Sequence, residues 1–277
     1  MTYRTLELAC DAQVAHVRLA RPDSMNAMDA AFFAEIEHVA TRLHREASAR
    51  VMVISSTGKH FTAGMALEAF VTNPLPEGTS GRRLAIQDVV VALQDAFSAL
   101  ERLRVPVIAA IQGGCIGGGV DMVTACDVRY ASVDAFFCIQ ETNIGITADL
   151  GTLQRLPKLI PIGVVREYAY SGRRMPAVRA RELGLVNEVF PTHEATVDAA
   201  LTLAREIASK APVVVAATKQ AITYARDHSV AESLDQMALL QASVWDSGDV
   251  KEAIRATKEK RAAKFGELAP VKLFAER

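Results

Sequence analysis

Four cysteines occur in 277 residues, Cys10, Cys115, Cys126 and Cys138, with no CxxC pair and no histidine–cysteine cluster at metal-ligand spacing. That excludes a disulfide framework and the common zinc modules, and implies reduced, mostly buried thiols. An excess of one charge is missing too. Against 31 Lys and Arg stand 32 Asp and Glu, for a net charge of −1, so no overall positive field gathers nucleic acid. No stretch approaches the uninterrupted apolar length of a membrane span. Met1 to Cys10 carries Glu7 and lacks the apolar run of a signal peptide, and Phe274-Ala275-Glu276-Arg277 is not a peroxisomal tripeptide. The expectation is a cytoplasmic protein with neither a nucleic-acid nor a membrane partner. Half of the residues are hydrophobic and 23% charged, enough for one large core, or a main domain with a smaller appendage.

What is present is an alternation of strand and helix signals, then helix alone. Val14 to Ala20 alternates apolar and polar residues as a half-buried strand does. Phe33, Ile36, Ala40 and Leu43 recur at helical spacing up to Glu46. Val51 to Ser55 is a short buried-strand run, and Asn73 to Gly81, with two prolines and two glycines, predicts a loop. Ile86, Val89, Val90, Leu93, Phe97 and Leu100 predict a long amphipathic helix that Pro106 closes off. Val107 to Ile111, Val128 to Ala131, Phe136 to Ile139 and Val186 to Phe190 are further strands. The strand–turn–helix order recurs near 14–46, 51–70 and 107–126, which implies a stacked architecture. Helical periodicity then covers Glu194–Ser209, Val213–Arg226, Val230–Trp245 and Asp249–Lys264. The predicted division is an α/β core over residues 1–195 and a helical region over 196–277.

Gly113-Gly114-Cys115-Ile116-Gly117-Gly118-Gly119 follows a buried strand and leads into a helix from Val120. It is no P-loop, since Val120 stands where Lys is required, and no Rossmann turn, since Met122 occupies the third glycine position. Two readings remain. One is a tight turn that only packs strand on helix, the commoner use of a lone glycine run. The other is a bare backbone whose N–H groups approach a ligand and stabilise an oxyanion. Ala63-Gly64-Met65 also follows a buried strand and offers a second N–H.

Phe61-Thr62-Ala63-Gly64-Met65 and the stretch from Gly113 through Asp121 resemble the two signatures of the crotonase (enoyl-CoA hydratase/isomerase) superfamily. Thr124-Ala125-Cys126-Asp127-Val128-Arg129-Tyr130 continues the second, and Asn26-Ala27-Met28 and Glu259-Lys260-Arg261 are similar to further landmarks, so the resemblance covers nearly the whole chain. It implies a crotonase-like spiral of ββα turns with a C-terminal helical trimerisation region, assembled as a homotrimer or homohexamer. It also implies an acyl-CoA thioester substrate handled without a separate cofactor or metal, the chemistry of fatty-acid β-oxidation. By the same match, the N–H groups of Met65 and Gly118 form the oxyanion hole, with Ala63, Gly64, Ala66 and Leu67 beside the substrate.

Three acids follow the glycine turn in settings poor in other charge: Asp121, Glu141 and Asp149. Hydratases of the superfamily carry glutamates matching Asp121 and Glu141 and a small or apolar residue near Asp149. An aspartate matching Asp149 resembles the Δ3,5-Δ2,4-dienoyl-CoA isomerases, as do Ala148 to Lys158 and Arg226 to Leu234. That reaction loses a proton at C2 and gains one at C6, two carbons too far apart for one small carboxylate. The resemblance therefore implies two-carboxylate proton transfer through a dienolate. Glu141 takes the C2 proton, Asp149 delivers to C6, and Asp121 adjusts the local field or a bound water. Delivery requires a pKa for Asp149 well above about 3.9, which apolar neighbours and two nearby carboxylates would provide.

Two departures from the family pattern stand out. Ala66 replaces the aspartate usual after Ala-Gly-x, and Gln140-Glu141-Thr142-Asn143 replaces a more acidic segment. Lys260 is either a ligand of the CoA phosphates or a solvated helix lysine. The rival functions are an enoyl-CoA hydratase, with Asp149 a bystander, and a non-catalytic acyl-CoA-binding or RNA-binding protein of the same fold.

Overall fold

The computed structural model describes residues 2–66 and 80–272. The expected loop at 73–81 and the substrate-side Leu67 therefore lie wholly or largely outside the described residues. Strands β1 (Leu6–Asp11), β2 (Val14–Leu19), β3 (Val51–Ser56), β4 (Val107–Ile111), β6 (Val128–Ser132) and β9 (Glu188–Phe190) form one sheet in the order β1-β2-β3-β4-β6-β9. Only the β1–β2 pair is antiparallel. The short strands β5 (Gly114–Ile116), β7 (Phe136–Cys138) and β8 (Arg174–Pro176) make a second sheet in the order β5-β7-β8.

The recurrence seen along the chain is the spiral itself. β4 runs into β5, and β6 into β7, so each long strand is followed by a short one in the other sheet. β3 does the same: Thr62 bridges Cys115 of β5 as a single residue pair. These are the expected ββα turns, and they stack because β3 and β4 have both faces buried. Such strands read as unbroken apolar runs rather than alternations. Met52 and Ile54 face the larger core with Phe32, Ile36 and Phe97, while Val51 and Val53 face a smaller one with Ala200 and Ala204.

Helix α1 (Ala30–Glu46) packs on the larger core through Phe32, Phe33, Ile36, Val39, Ala40 and Leu43. The Asp29 carboxylate accepts the Phe32 N–H at 2.9 Å and caps its start. Ala47, left-handed with φ 53°, ends it. Helix α2 (Ser80–Arg102) runs beside α1, and α3 (Gly118–Thr124) leaves the glycine turn. Then come α4 (Thr152–Arg155), α5 (Ile162–Ser171), α6 (Ala177–Glu182), α7 (His193–Ala208), α8 (Pro212–Asp227), α9 (Val230–Val244) and α10 (Ser247–Glu259).

Short elements such as β5 and the helices α4 to α6 were not foreseen, and four further details differ from the sequence reading. β1 is unanticipated because Leu6 is its one buried residue, Leu8 packs only partly on the larger core, and the remaining four positions of this edge strand are exposed. β8 is too short, at three residues, to carry a periodicity. The last helix stops at Glu259 rather than Lys264, because Lys260 adopts φ 53° and turns the chain away. Finally, the expected boundary at 195/196 falls inside α7, whose Ala200, Ala204 and Ala208 pack on the main sheet. Among the described residues no helix is long and apolar enough to cross a membrane.

Candidate functional site

The glycine turn and the loop after β3 are zipped together by backbone hydrogen bonds. Phe61 N–H donates to Gln112 O at 2.9 Å, Thr62 N–H to Gly114 O at 3.0 Å, and Ile116 N–H to Thr62 O at 3.2 Å. On the other side, Ala63 N–H donates to Met25 O, Met28 N–H to Gly64 O and Ala66 N–H to Met28 O, at 2.8 to 2.9 Å. Asn26 anchors that side. Buried and left-handed at φ 51°, it accepts from Arg21 N–H and donates its amide to Thr57 O and His60 O. Its neighbours Ala27 and Met28 are thereby held against the loop.

This arrangement brings Gly64 against Gly118. A methyl group on Gly64 would stand 2.6 Å from Ile116 O and 3.4 Å from Gly118 N. Gly64 also has φ +83°, so glycine is required there twice over. The N–H groups of Met65 and Gly118 donate to no protein acceptor among the described residues. Ala63, Met65, Ala66 and Ile116 line a cavity of about 620 Å³ together with Arg21 and Arg174. Lys260 does not line it; exposed, it closes the last helix. The cations at the cavity, Arg21 and Arg174, were not singled out from the sequence, where nothing distinguishes them from surface arginines.

Glu141 opens the 3-10 turn Glu141–Ile144 directly after β7. It is 8% exposed, and its Oε2 is buried without a hydrogen-bond partner among the described residues. A methyl group on Gly117 would lie 3.2 Å from its Oε1, so the carboxylate rests on the glycine turn. Burial pushes its pKa up to about 7, helped by the negative charges of Asp121 and Asp149 and opposed by nearby backbone N–H groups. Asp121, on the first turn of α3, is 1% exposed. Its Oδ1 accepts the Thr152 N–H at 2.6 Å. Burial lifts this carboxyl to about 6; Asp149 adds to the rise, while hydrogen bonding by Thr152 and the charge of Arg155 restrain it.

Asp149 is more open than the expected apolar setting implies. It is exposed, and partial desolvation raises its carboxyl above the usual aspartate range. Its charge raises both Glu141 and Asp121, and this repulsion is mutual. The three acids thus form one electrostatic group: a buried pair with strongly raised pKa values, and a more accessible member at the rim. Two carboxyls poised near neutrality can exchange protons with a carbon acid at little cost in driving force. No group of three or more His, Cys, Asp or Glu residues placed to hold a metal occurs among the described residues.

The enoyl-CoA hydratase/isomerase family model matches residues 9–268. The mitochondrial Δ(3,5)-Δ(2,4)-dienoyl-CoA isomerase of Homo sapiens is 44% identical over 268 residues, 95% of this chain and 82% of that protein. The peroxisomal Δ(3,5)-Δ(2,4)-dienoyl-CoA isomerase of Arabidopsis thaliana is 37% identical over 274 residues, 96% of this chain and 99% of that protein. Among solved structures, an enoyl-CoA hydratase from Bacillus anthracis superposes with a TM-score of 0.86 at 29% identity, covering 97% of this chain and 100% of that one. The expected cytoplasmic location is corrected by these relatives, which are mitochondrial and peroxisomal.

Proposed function

The chain belongs to the enoyl-CoA hydratase/isomerase family, and on that premise we propose that it is an isomerase converting 3,5-dienoyl-CoA to 2,4-dienoyl-CoA. The observation that carries this reading is the three-carboxylate group beside the glycine turn, with Asp149 as its accessible third member. Isomerases at 44% and 37% identity over nearly the full chain support it above the hydratase alternative.

In the proposed mechanism the thioester oxygen lies between the Met65 and Gly118 N–H groups. Loss of the C2 proton to Glu141 leaves a dienolate whose charge is shared by that oxygen, C2, C4 and C6. Two fixed N–H donors aimed at the oxygen stabilise this charge, each by roughly 3–4 kcal/mol on the scale of known oxyanion holes. Asp149, whose proton affinity rises further once the acyl chain displaces water from its carboxyl, delivers to C6, and the double bonds settle at 2,4. Asp121 keeps Glu141 basic by its charge. The acyl-CoA enters through the cavity lined by Ala63, Met65 and Ala66. The assembly is a homotrimer or homohexamer built through the C-terminal helices, and the reaction belongs to β-oxidation of unsaturated acyl chains.

The test is a pair of incubations, with 3,5-octadienoyl-CoA and with 2-octenoyl-CoA, followed by absorbance. Conjugated 2,4-dienoyl product from the first with little hydration of the second is expected. Hydration of the second with no conversion of the first establishes a hydratase.

A further inference from the structure

Asp149 lies on an exposed turn, yet delivery to one carbon of a flexible chain demands a fixed carboxyl. The backbone around it is held from three directions. The Gln94 amide of α2 donates to Asp149 O at 2.6 Å. Thr152 N–H donates to Asp121 at 2.6 Å. Between them, Arg155 donates to Leu150 O at 3.4 Å, to Ser98 Oγ at 3.0 Å and to Glu101 at 3.4 Å. Its side chain is only 11% exposed.

Gly151 shows how tightly this fits. It has φ +131°, and a methyl group there would fall 1.9 Å from Arg155 Nη1. The guanidinium thus occupies the space a side chain at residue 151 would need. Glu101, which holds Arg155 from α2, is also bound by Arg226 of α8. Arg226 in turn pairs with Asp227, and Asp227 with Lys158 just beyond α4.

We propose that Arg155 is the positioning residue for Asp149, braced by Glu101 and, through it, by Arg226 of the helical region. This rests on the isomerase reading above. Arg155 touches no reacting atom; it holds the Leu150–Gly151 peptide so that the preceding carboxyl keeps its aim. Lysine cannot replace it, because one ammonium lacks the planar fork that reaches Leu150 O, Ser98 and Glu101 together. The coupling also gives the C-terminal helices a direct hold on the proton-delivering turn.

The two half-reactions separate the effect. Removal of the C2 proton is followed as exchange of that position with D2O, and delivery to C6 as formation of the conjugated product. Arg155→Lys, which keeps the charge that restrains Asp121, is expected to slow product formation about a hundredfold, the cost of a misplacement of about 1 Å, with C2 exchange staying near the parent. Arg155→Met, which also removes that charge, is expected to lose at least as much product formation. Gln94→Leu, which removes a brace without disturbing the buried charges, is expected to show the same imbalance in milder form and keeps the test decisive if the Arg155 variants fail to fold. An equal fall of both rates, or no fall, overturns the positioning role. Asp149→Asn is the reference: if it isomerises at the parent rate, the two-carboxylate reading itself fails and the positioning role with it. If it loses product formation while the Arg155 and Gln94 variants do not, the positioning role alone fails.

Discussion

Glu141 is held at a cost to the fold, and the cost has a sign. Its native pKa of about 7 lies above the ordinary 4.5, so the folded chain binds that proton more tightly than the unfolded chain does. The stability this provides is complete below pH 4.5 and lost as pH rises through 7. Glu141→Gln, which cannot ionise, is therefore expected to unfold at higher urea than the parent at pH 8. The gain is at most about 3 kcal/mol, and it shrinks toward zero near pH 5. The same variant is expected to abolish C2 exchange, since it removes the proposed base. A parent-like urea midpoint at pH 8 would mean that the carboxyl is not desolvated as the structure has it. The family resemblance already brought Asp121 and Glu141 together, but nothing local reports how deeply α3 and the turn after β7 bury them.

Two junctions between elements carry much of the site's precision. Gly64 lets the loop after β3 pass under Ile116 O, 2.6 Å from where a methyl would sit. Gly64→Ala must either shift the loop or accept a strained backbone, and is expected to cost about 1–3 kcal/mol. Turnover should fall further than stability, because Met65 N–H moves with the loop; thermal unfolding and product formation measured together check this. The second junction ties α8 to the sheet. Lys219, buried on α8, donates to Leu100 O and Val105 O at 3.1 Å and to Asp127 at 2.8 Å, and Asp127 also accepts Val107 N–H. Lys219→Met leaves these acceptors behind and is expected to destabilise by about 3 kcal/mol, the lower end for a broken buried pair because Asp127 retains some water contact. Denaturant unfolding reads this directly. The motif around Thr124 to Tyr130 was legible in the sequence, but the role of its Asp127 as the anchor of a helix some 90 positions away was not.

At the scale of the molecule, α9 presents a surface that the other described residues leave uncovered. No residue of α9 is buried, and Val230, Leu234 and Leu239 are 77%, 65% and 76% exposed, with Trp245 at 64% just beyond the helix. Apolar side chains concentrated this way mark an interaction site, in keeping with the proposed trimer. Leu239→Glu is expected to shift the sedimenting species from three or six chains toward one. A parent protein that sediments as a single chain would rule the proposed assembly out.

Much of this molecule is local in origin. The buried runs of β3 and β4, the heptad-like stripe of α1, the glycine turn and the long helices of the C-terminal region follow from residues within a few positions of one another, because burial on one or both faces imposes a period. The family signatures likewise sit in short segments, and so the oxyanion-type turn and the three acids could be named before any folding was considered. What required the assembled chain was relative position: that Gly64 meets Gly118, that Glu141 and Asp121 share one desolvated space while Asp149 stays at its rim, and that Lys260 ends a helix away from the cavity. Those outcomes depend on packing and electrostatics between segments distant in sequence, and neither periodicity nor motif contains the distances involved. How far each carboxyl is raised is set by its burial in the assembled chain, nearly complete for Asp121 and Glu141 and partial for Asp149.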